Sequence, residues 1–320
     1  MENDNIEVSV IVITYNQSQY IRQAIDSILM QKVNLKYEIL VGDDASTDGT
    51  QEILKEYADK YPYLFKLTLR EENIGATKNA YDILTKAKGR YLATLEGDDF
   101  WTDKSKLQIQ YDFMEKNIEY VGCTHKFNIV DENNVPYKNK RLNWVKQKEV
   151  FTINDFEGIY LPGQPSTFFR KNLFLTSEHD YSVSYKIHPL IGDRTLMLSF
   201  LLEGNFYCID KNMGAYRVSS SSKSTNVTSL IYKNNACIEE YNITCKLEKY
   251  AFNEFNKRLS FSKHKRDIFT SSLINIIKRP TKENFYISYK IFKQSDDYVG
   301  SIVNIPIYII KKILRRKLKK

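Results

Sequence analysis

Cysteine, tryptophan and histidine are all scarce in this 320-residue chain, at four, two and four copies. Cys123, Cys208, Cys237 and Cys245 form no C-x-x-C pair and have no histidine at zinc-finger spacing. That excludes a disulfide framework of the small secreted kind and a zinc module, and leaves reduced thiols. His125, His179, His188 and His264 are scattered without metal-ligand spacing. No run approaches the roughly 20 apolar residues of a membrane-spanning helix. The opening MENDNIEVSV lacks the basic and apolar segments of a secretory leader, so the chain is expected in the cytoplasm and the sequons at Asn226 and Asn242 are expected to be chance. Glycine-rich phosphate loops of the G-x-G-x-x-G and G-x-x-x-x-G-K types are absent too.

Net positive charge is equally sparse outside one place. Seven of the eight net positive charges lie in the last ten residues, KKILRRKLKK, which leaves +1 for everything before them. A nucleic-acid-binding domain would carry a basic face on its folded body, so no nucleic-acid partner is expected. What is present is an ordinary globular composition, 42% hydrophobic and 27% charged, with 23 tyrosines and 17 phenylalanines for aromatic packing.

The first hundred residues alternate between two periods. VSVIVIT (8–14) is β-branched and apolar at nearly every position, as in a strand covered on both faces. YEILVGDD (37–44), FKLTL (65–69) and RYLATL (90–95) read as further strands. Between them, 20–31, 46–61 and 75–87 read as helices, the second starting at Ser46, Thr47 and Asp48. Strand and helix in alternation predict a mostly parallel sheet flanked by helices. Further on, 104–117 reads as helix, 120–131 as strand, 132–150 as a polar excursion, 166–171 as strand and 194–204 as helix. SSSSKSTN (219–226) reads as a hinge, and 230–295 as helical packing scaffold. Trp101 is expected in the core and Trp144, in the polar excursion, toward an acceptor.

Open parallel sheets bind ligands at the carboxyl ends of their strands. Four successive strand ends here carry acids or amides: Thr14-Tyr15-Asn16, Asp43-Asp44, Asn73 with Gly75, and Glu96-Gly97-Asp98-Asp99. Three carboxylates within four positions repel one another unless a cation answers them. Mg²⁺ and Mn²⁺ take oxygen ligands, and a magnesium site commonly uses one or two carboxylates, phosphate oxygens and water. A metal–diphosphate unit is therefore the expected occupant.

The stretches VSVIVITYNQSQYIRQAIDSIL, EILVGDDASTDGT, NIGATKNA, GRYLATLEGDDFW and the later IGD resemble, in order and spacing over about residues 7–220, the family-2 inverting glycosyltransferases of bacterial surface-polysaccharide type. The resemblance implies a GT-A (Rossmann-like) fold and transfer of a sugar, usually from a UDP-linked donor, to an acceptor hydroxyl with inversion. It places Thr14, Tyr15, Asn16 and Asn73 at the nucleotide sugar and Asp44 on the uracil N–H. Glu96-Gly97-Asp98 stands at the D-x-D signature, with Asp98 on Mn²⁺ or Mg²⁺, Asp99 assisting and Glu96 nearer the ribose. Lys78 and Asn79 would face the diphosphate, Arg217 would lie over it, and Asp193 would be the catalytic base. The Q-x-x-R-W motif of the processive members is absent, which implies addition of one or a few sugars. A nucleotidyltransferase would want a basic glycine-rich loop where TYNQSQ stands, and a non-catalytic nucleotide-sugar-binding protein would have no need of Asp98 and Asp193 together.

The expected organisation is a catalytic domain over 1–225, a helical extension over 226–300 and a basic amphipathic tail over 301–320. Apolar residues at 307, 310, 313, 314 and 318 of the tail are set among lysines and arginines. That pattern suits an anionic membrane surface, so the protein is expected to be peripheral on the inner face of the cell membrane, with a glycan or lipid-linked acceptor.

Overall fold

A computed structural model describes residues 6–138, 140–189, 191–218 and 236–295. The serine-rich hinge and the basic tail lie outside the described residues. The chain divides into two compact units, one of Met1–Phe156 with Tyr160–Ser224 and one of Glu157–Ile159 with Thr225–Lys320.

The first unit is built on a nine-stranded sheet. Strands β1 (Val8–Thr14), β2 (Tyr37–Asp43), β3 (Phe65–Leu69) and β4 (Tyr91–Glu96) pair in parallel in the order β3-β2-β1-β4. Their linking helices are α1 (Ile21–Leu29), α2 (Thr50–Lys60) and α3 (Ala76–Leu84). The continuous apolar run of β1 is explained by its surroundings: Val8, Val10, Ile11 and Val12 are at most 1% exposed. Val8, Val10 and Val12 pack with Ile21, Ala24, Ile25 and Ile28, while Ile11 packs in a second cluster with Leu40, Ile83, Leu84 and Leu92. The helix expected from Ser46 starts only at Thr50. Ser46 is drawn back onto Asp43, and Asp48 accepts from the amides of Ser18 and Thr50, so these residues serve the loop.

Beyond β4 the sheet changes direction. After β5 (Phe100–Trp101) and α4 (Lys106–Lys116) come β6 (Tyr120–Val130), β7 (Val150–Phe151), α5 (Ile153–Phe156) and β8 (Phe169–Lys171). Two short helices, α6 (Leu173–Thr176) and α7 (Val183–Lys186), lead to α8 (Gly192–Glu203) and the long strand β9 (Asn205–Arg217). β8 wedges antiparallel between β4 and β6, and β9 runs parallel to β6 and antiparallel to β5 and β7. Trp101 is core, 2% exposed, with Nε1 donating to the Ser166 carbonyl at 3.0 Å.

The second unit packs α9 (Ala236–Phe255), α10 (Ser262–Lys278) and α11 (Lys282–Gln294) around Tyr241, Ile268, Phe269, Ile287 and Ile291. Thr281 caps α11, its hydroxyl accepting from the Asn284 amide at 3.2 Å. Among the described residues no helix is long and apolar enough to cross a membrane.

A buried polar knot ties the first three crossovers together. The Glu38 carboxylate accepts from the Ser9 hydroxyl at 2.7 Å and the Lys88 amide at 2.9 Å, and pairs with Lys66. Burial pushes its proton affinity up, but the bonds from Lys66, Ser9 and Lys88 together hold it below the usual range. The Gly89 amide donates to Ser9 Oγ at 2.8 Å, and a Cβ on Gly89 would stand 2.4 Å from the Ser9 nitrogen and 2.6 Å from the Val8 carbonyl carbon. Backbone cannot step aside as a flexible side chain can. Gly89→Ala should therefore lower the free energy of unfolding in a urea titration by about 1–3 kcal/mol. An unchanged midpoint would show that the crossover yields at no cost.

Candidate active site

The parallel register sets the site. Thr14 is level with Asp43, and Ile13 with Glu96, so the loops leaving β1, β2 and β4 emerge side by side. The first two loops are zipped together. Asn16, in the left-handed region at φ 52°, donates its amide to Ser46 Oγ at 2.8 Å and accepts the Thr47 amide on Oδ1 at 2.9 Å. Asparagine tolerates that conformation better than most residues. The Gln17 amide donates to Thr50 Oγ1, and the Ser18 amide to Asp48, both at 2.9 Å. Thr14 is buried, its hydroxyl on Gln17 Oε1, whereas the Tyr15 ring is exposed at the rim.

Asp44 fastens the third loop. Its carboxylate accepts the amides of Ile74 and Gly75, each at 2.9 Å, and its carbonyl accepts Asn73 Nδ2 at 3.1 Å. The group that the resemblance assigns to a base N–H is 2% exposed and committed to backbone. Lys78 and Asn79 part company at the start of α3. Lys78 is exposed, while Asn79 is buried, donating to the Gly42 carbonyl at 2.9 Å and accepting from Arg70 Nε at 3.0 Å.

The acid knot after β4 is clasped from below. Asp99, 1% exposed, accepts the Ser166 hydroxyl at 2.6 Å and the Arg217 amide at 2.9 Å. Ser166 Oγ in turn accepts the Glu96 amide at 3.0 Å. Gly97 has no room for a side chain, since a Cβ would lie 2.3 Å from Gln17 Oε1 and 2.9 Å from the Thr14 Cβ. The Arg217 side chain is built in as well. It donates to the Asp98 carbonyl, to Asn134 Oδ1 and to Gln23 Oε1, each at 2.8 Å, and its guanidinium lies over the Tyr20 ring at 4.3 Å. Arg217, expected over a diphosphate, is 3% exposed, and its donors bridge the loops around the acid knot. Asp99, expected to assist the metal, accepts one protein donor on each oxygen, which leaves each a further lone pair.

Asp193 reaches this cluster from the first turn of α8, accepting the Arg194 amide at 2.8 Å. Burial, then Asp99, Asp98 and Asp193, push the Glu96 carboxyl well above the usual range. Burial and Asp98 do the same to Asp99 against the pull of Ser166 and Arg217. Asp98 and Asp193 are also raised by burial, opposed at Asp98 by its own amide, Arg217 and Gln17 and at Asp193 by Arg194. The Tyr216 phenol is held un-ionised by burial and by Glu96, Asp99, Asp98 and Asp193 together, so all four carboxylates surround one region. On its other side the Tyr216 ring meets Trp144 edge-on at 6.3 Å and 82°.

Ser166, Gln17 and Tyr216 complete the site; Gln17 and Tyr216 adjoin Asn16 and Arg217, which the sequence singled out, and Ser166 adjoins none. Nothing in the GQPST segment signals that its serine will clasp Asp99. Among the described residues, no group of three or more His, Cys, Asp or Glu side chains is arranged to hold a metal ion by itself. Glu96 and Asp98 nevertheless supply the oxygen donors taken by a cation completed by phosphate and water, and every neighbour acting on Glu96 raises its proton affinity, as an unanswered negative charge would.

An open α/β sheet carrying aligned acidic loops at its carboxyl edge is the architecture of the GT-A fold. The chain belongs to Glycosyl transferase family 2, whose family model matches residues 9–192. Among curated relatives, the uncharacterized Mycobacterium tuberculosis protein Rv1520 is 43% identical over 126 residues, 39% of this chain and 36% of that one. The putative teichuronic acid biosynthesis glycosyltransferase TuaG of Bacillus subtilis is 41% identical over 107 residues, 33% of this chain and 41% of TuaG. The chain thus spans well under two thirds of the length of these relatives. Among solved structures, S. aureus TarS 1–349 in complex with UDP-GlcNAc superposes with TM-score 0.62 at 18% identity, covering 90% of this chain and 80% of that one. Mannosyltransferase PcManGT from Pyrobaculum calidifontis, with GDP-Man and Mn²⁺, gives TM-score 0.51 at 15% identity, covering 99% and 89%. At these identities the likeness shows the fold.

Carboxyls whose proton affinity rises on folding make the folded state bind more protons than the unfolded one. Stability is then lost as pH climbs from the ordinary carboxylate range, about 4, through the raised values. In chelator, Asp98→Asn should unfold at a higher temperature than the parent at neutral pH, and the gap should close as pH falls toward that lower limit. Parallel melting profiles across the range would contradict the mutual repulsion.

Proposed function

We propose that this protein transfers a sugar from a nucleotide-diphosphate donor, UDP-linked, to an acceptor hydroxyl with inversion at the anomeric carbon. One observation carries the proposal: Asp193 comes within electrostatic reach of Glu96 and, together with Asp98 and Asp99, of Tyr216 at the carboxyl edge of a family-2 sheet, although 94 positions separate it from Asp99 in sequence. The UDP-GlcNAc complex of TarS and the GDP-Man complex of PcManGT support a nucleotide-sugar donor.

In this reading Thr14, Tyr15, Asn16 and Asn73 border the nucleotide, and Asp44 acts through the loop it fastens. Lys78, exposed at the start of α3 just beyond that loop, is assigned to the diphosphate. Glu96 and Asp98 would hold Mn²⁺ or Mg²⁺, which when bound supplies positive charge to the departing diphosphate. Asp193 takes the proton of the acceptor hydroxyl. The acceptor oxygen then bonds to the anomeric carbon on the face opposite the diphosphate, and the carbon–oxygen bond to the diphosphate breaks with its electron pair leaving on phosphate oxygen. Partial burial suits the base role by raising the proton affinity of Asp193. Tyr216 and Trp144 form the acceptor-side wall, an apolar surface against which a sugar ring can lie.

The TuaG name, which gives teichuronic acid biosynthesis, supports a polysaccharide as the product class, and a glycan or lipid-linked acceptor is proposed with it. A cytoplasmic enzyme docked on the inner membrane face, through the tail outside the described residues, completes the proposal.

A panel of nucleotide sugars with Mn²⁺ or Mg²⁺, assayed for donor hydrolysis and transfer, tests the reading. Asp193→Asn should keep donor affinity by calorimetry and lower turnover by about 10²–10⁴-fold. Donor bound by the parent without any hydrolysis or transfer would make the protein a binding module. Weakened donor binding with turnover retained in Asp193→Asn would remove the base role.

A further inference from the structure

Helix α11 of the second unit has its aromatic residues on the wrong side for a packing scaffold. Asn284, Ile287, Ser288 and Ile291 are buried, and Ile287 and Ile291 pack with Tyr241, Ile268 and Phe269. Phe285, Tyr286 and Tyr289 are instead 54%, 61% and 62% exposed, and Phe292 is 40% exposed. At 100° per residue, positions 285, 289 and 292 fall on one line and 286 beside it. Lys282, Lys290 and Lys293 share that outward arc, and Lys290 Nζ lies 5.9 Å from the Tyr286 ring centroid. Exposed Ile277, Lys278 and Arg279 stand at the turn that leads into the helix, and Glu283 is the one acid of α11.

Large aromatic side chains interleaved with lysines are poorly suited to open water and well suited to the boundary between lipid headgroups and acyl chains. There the rings bury their apolar bodies while the lysine ammonium groups reach anionic headgroups. A protein partner would meet the same rings, but the excess of base over acid on this face selects a surface of distributed negative charge. We propose that the outward face of α11, with Phe285, Tyr286 and Tyr289 as its anchors, docks on an anionic membrane surface. This contact is carried by described residues and is distinct from that of the basic tail, and it does not rest on the proposed chemistry.

Co-sedimentation of the full chain with vesicles of phosphatidylglycerol and phosphatidylcholine tests it. Partitioning of a Phe285→Ser, Tyr286→Ser, Tyr289→Ser variant should fall by about tenfold or more relative to the parent, with unchanged circular dichroism because the three positions are exposed. A Tyr289→Trp variant should retain partitioning and show quenching by bromine-labelled acyl chains beyond that of the native tryptophans. Equal sedimentation of the parent and the serine variant would assign membrane binding to the tail alone and overturn the proposal. So would a parent dimer in light scattering that the serine variant dissolves, which would make this face a contact between two copies of the chain.

Discussion

A buried carboxylate is tolerable only when donors replace the water it has lost, and Asp99 meets that requirement with two donors from distant parts of the chain. The Ser166 hydroxyl comes from the segment before β8, and the Arg217 amide from the end of β9. Because Ser166 also takes the Glu96 amide, one hydroxyl fixes both ends of the Glu96–Asp99 turn. Arg217 extends the clasp through its guanidinium to the Asp98 carbonyl, Gln23 and Asn134. The first half of the domain supplies the acids and the second half holds them in place.

The consequence is a site organised before any ligand enters. Loops that would wander in isolation are bonded to one another: the β1 loop to the β2 loop through Asn16, Ser46 and Thr50, and the third loop to Asp44. Groups fixed in this way need little reorganisation when charge develops on a substrate. The same rigidity keeps like charges together. Glu96 and Asp98 stand two positions apart on a turn whose backbone the clasp fixes, so their repulsion is available to be relieved by a cation.

The parallel half of the sheet was legible because burial on both faces writes itself as an unbroken apolar run, as in 8–14. Acids and amides at the ends of such runs marked the site for the same reason that strand register aligned them. In the second half β6 and β8 were read, at 120–131 and 166–171, but β5, β7 and β9 were not. β9 contains Asp210, Lys211 and Asn212 within a strand whose pairing with β6 slips in register, so neither alternation nor an apolar run announces it. β5 and β7 are two residues each. Charge alone did not tell that Asp99 and Arg217 would bond to the protein around them. The aromatics of 230–295 were read as scaffold, although α11 turns three of its rings outward.

The central claim is that the acid turn after β4 completes its coordination with a divalent cation and a nucleoside diphosphate. Crystals grown with Mn²⁺ and UDP test it through anomalous scattering at the manganese edge. The account predicts a single strong peak within bonding distance of an Asp98 carboxylate oxygen and of the diphosphate, with Asp99 still on Ser166 and Arg217. UDP seated at the sheet edge with no peak beside Asp98, or with manganese bound elsewhere, would contradict it.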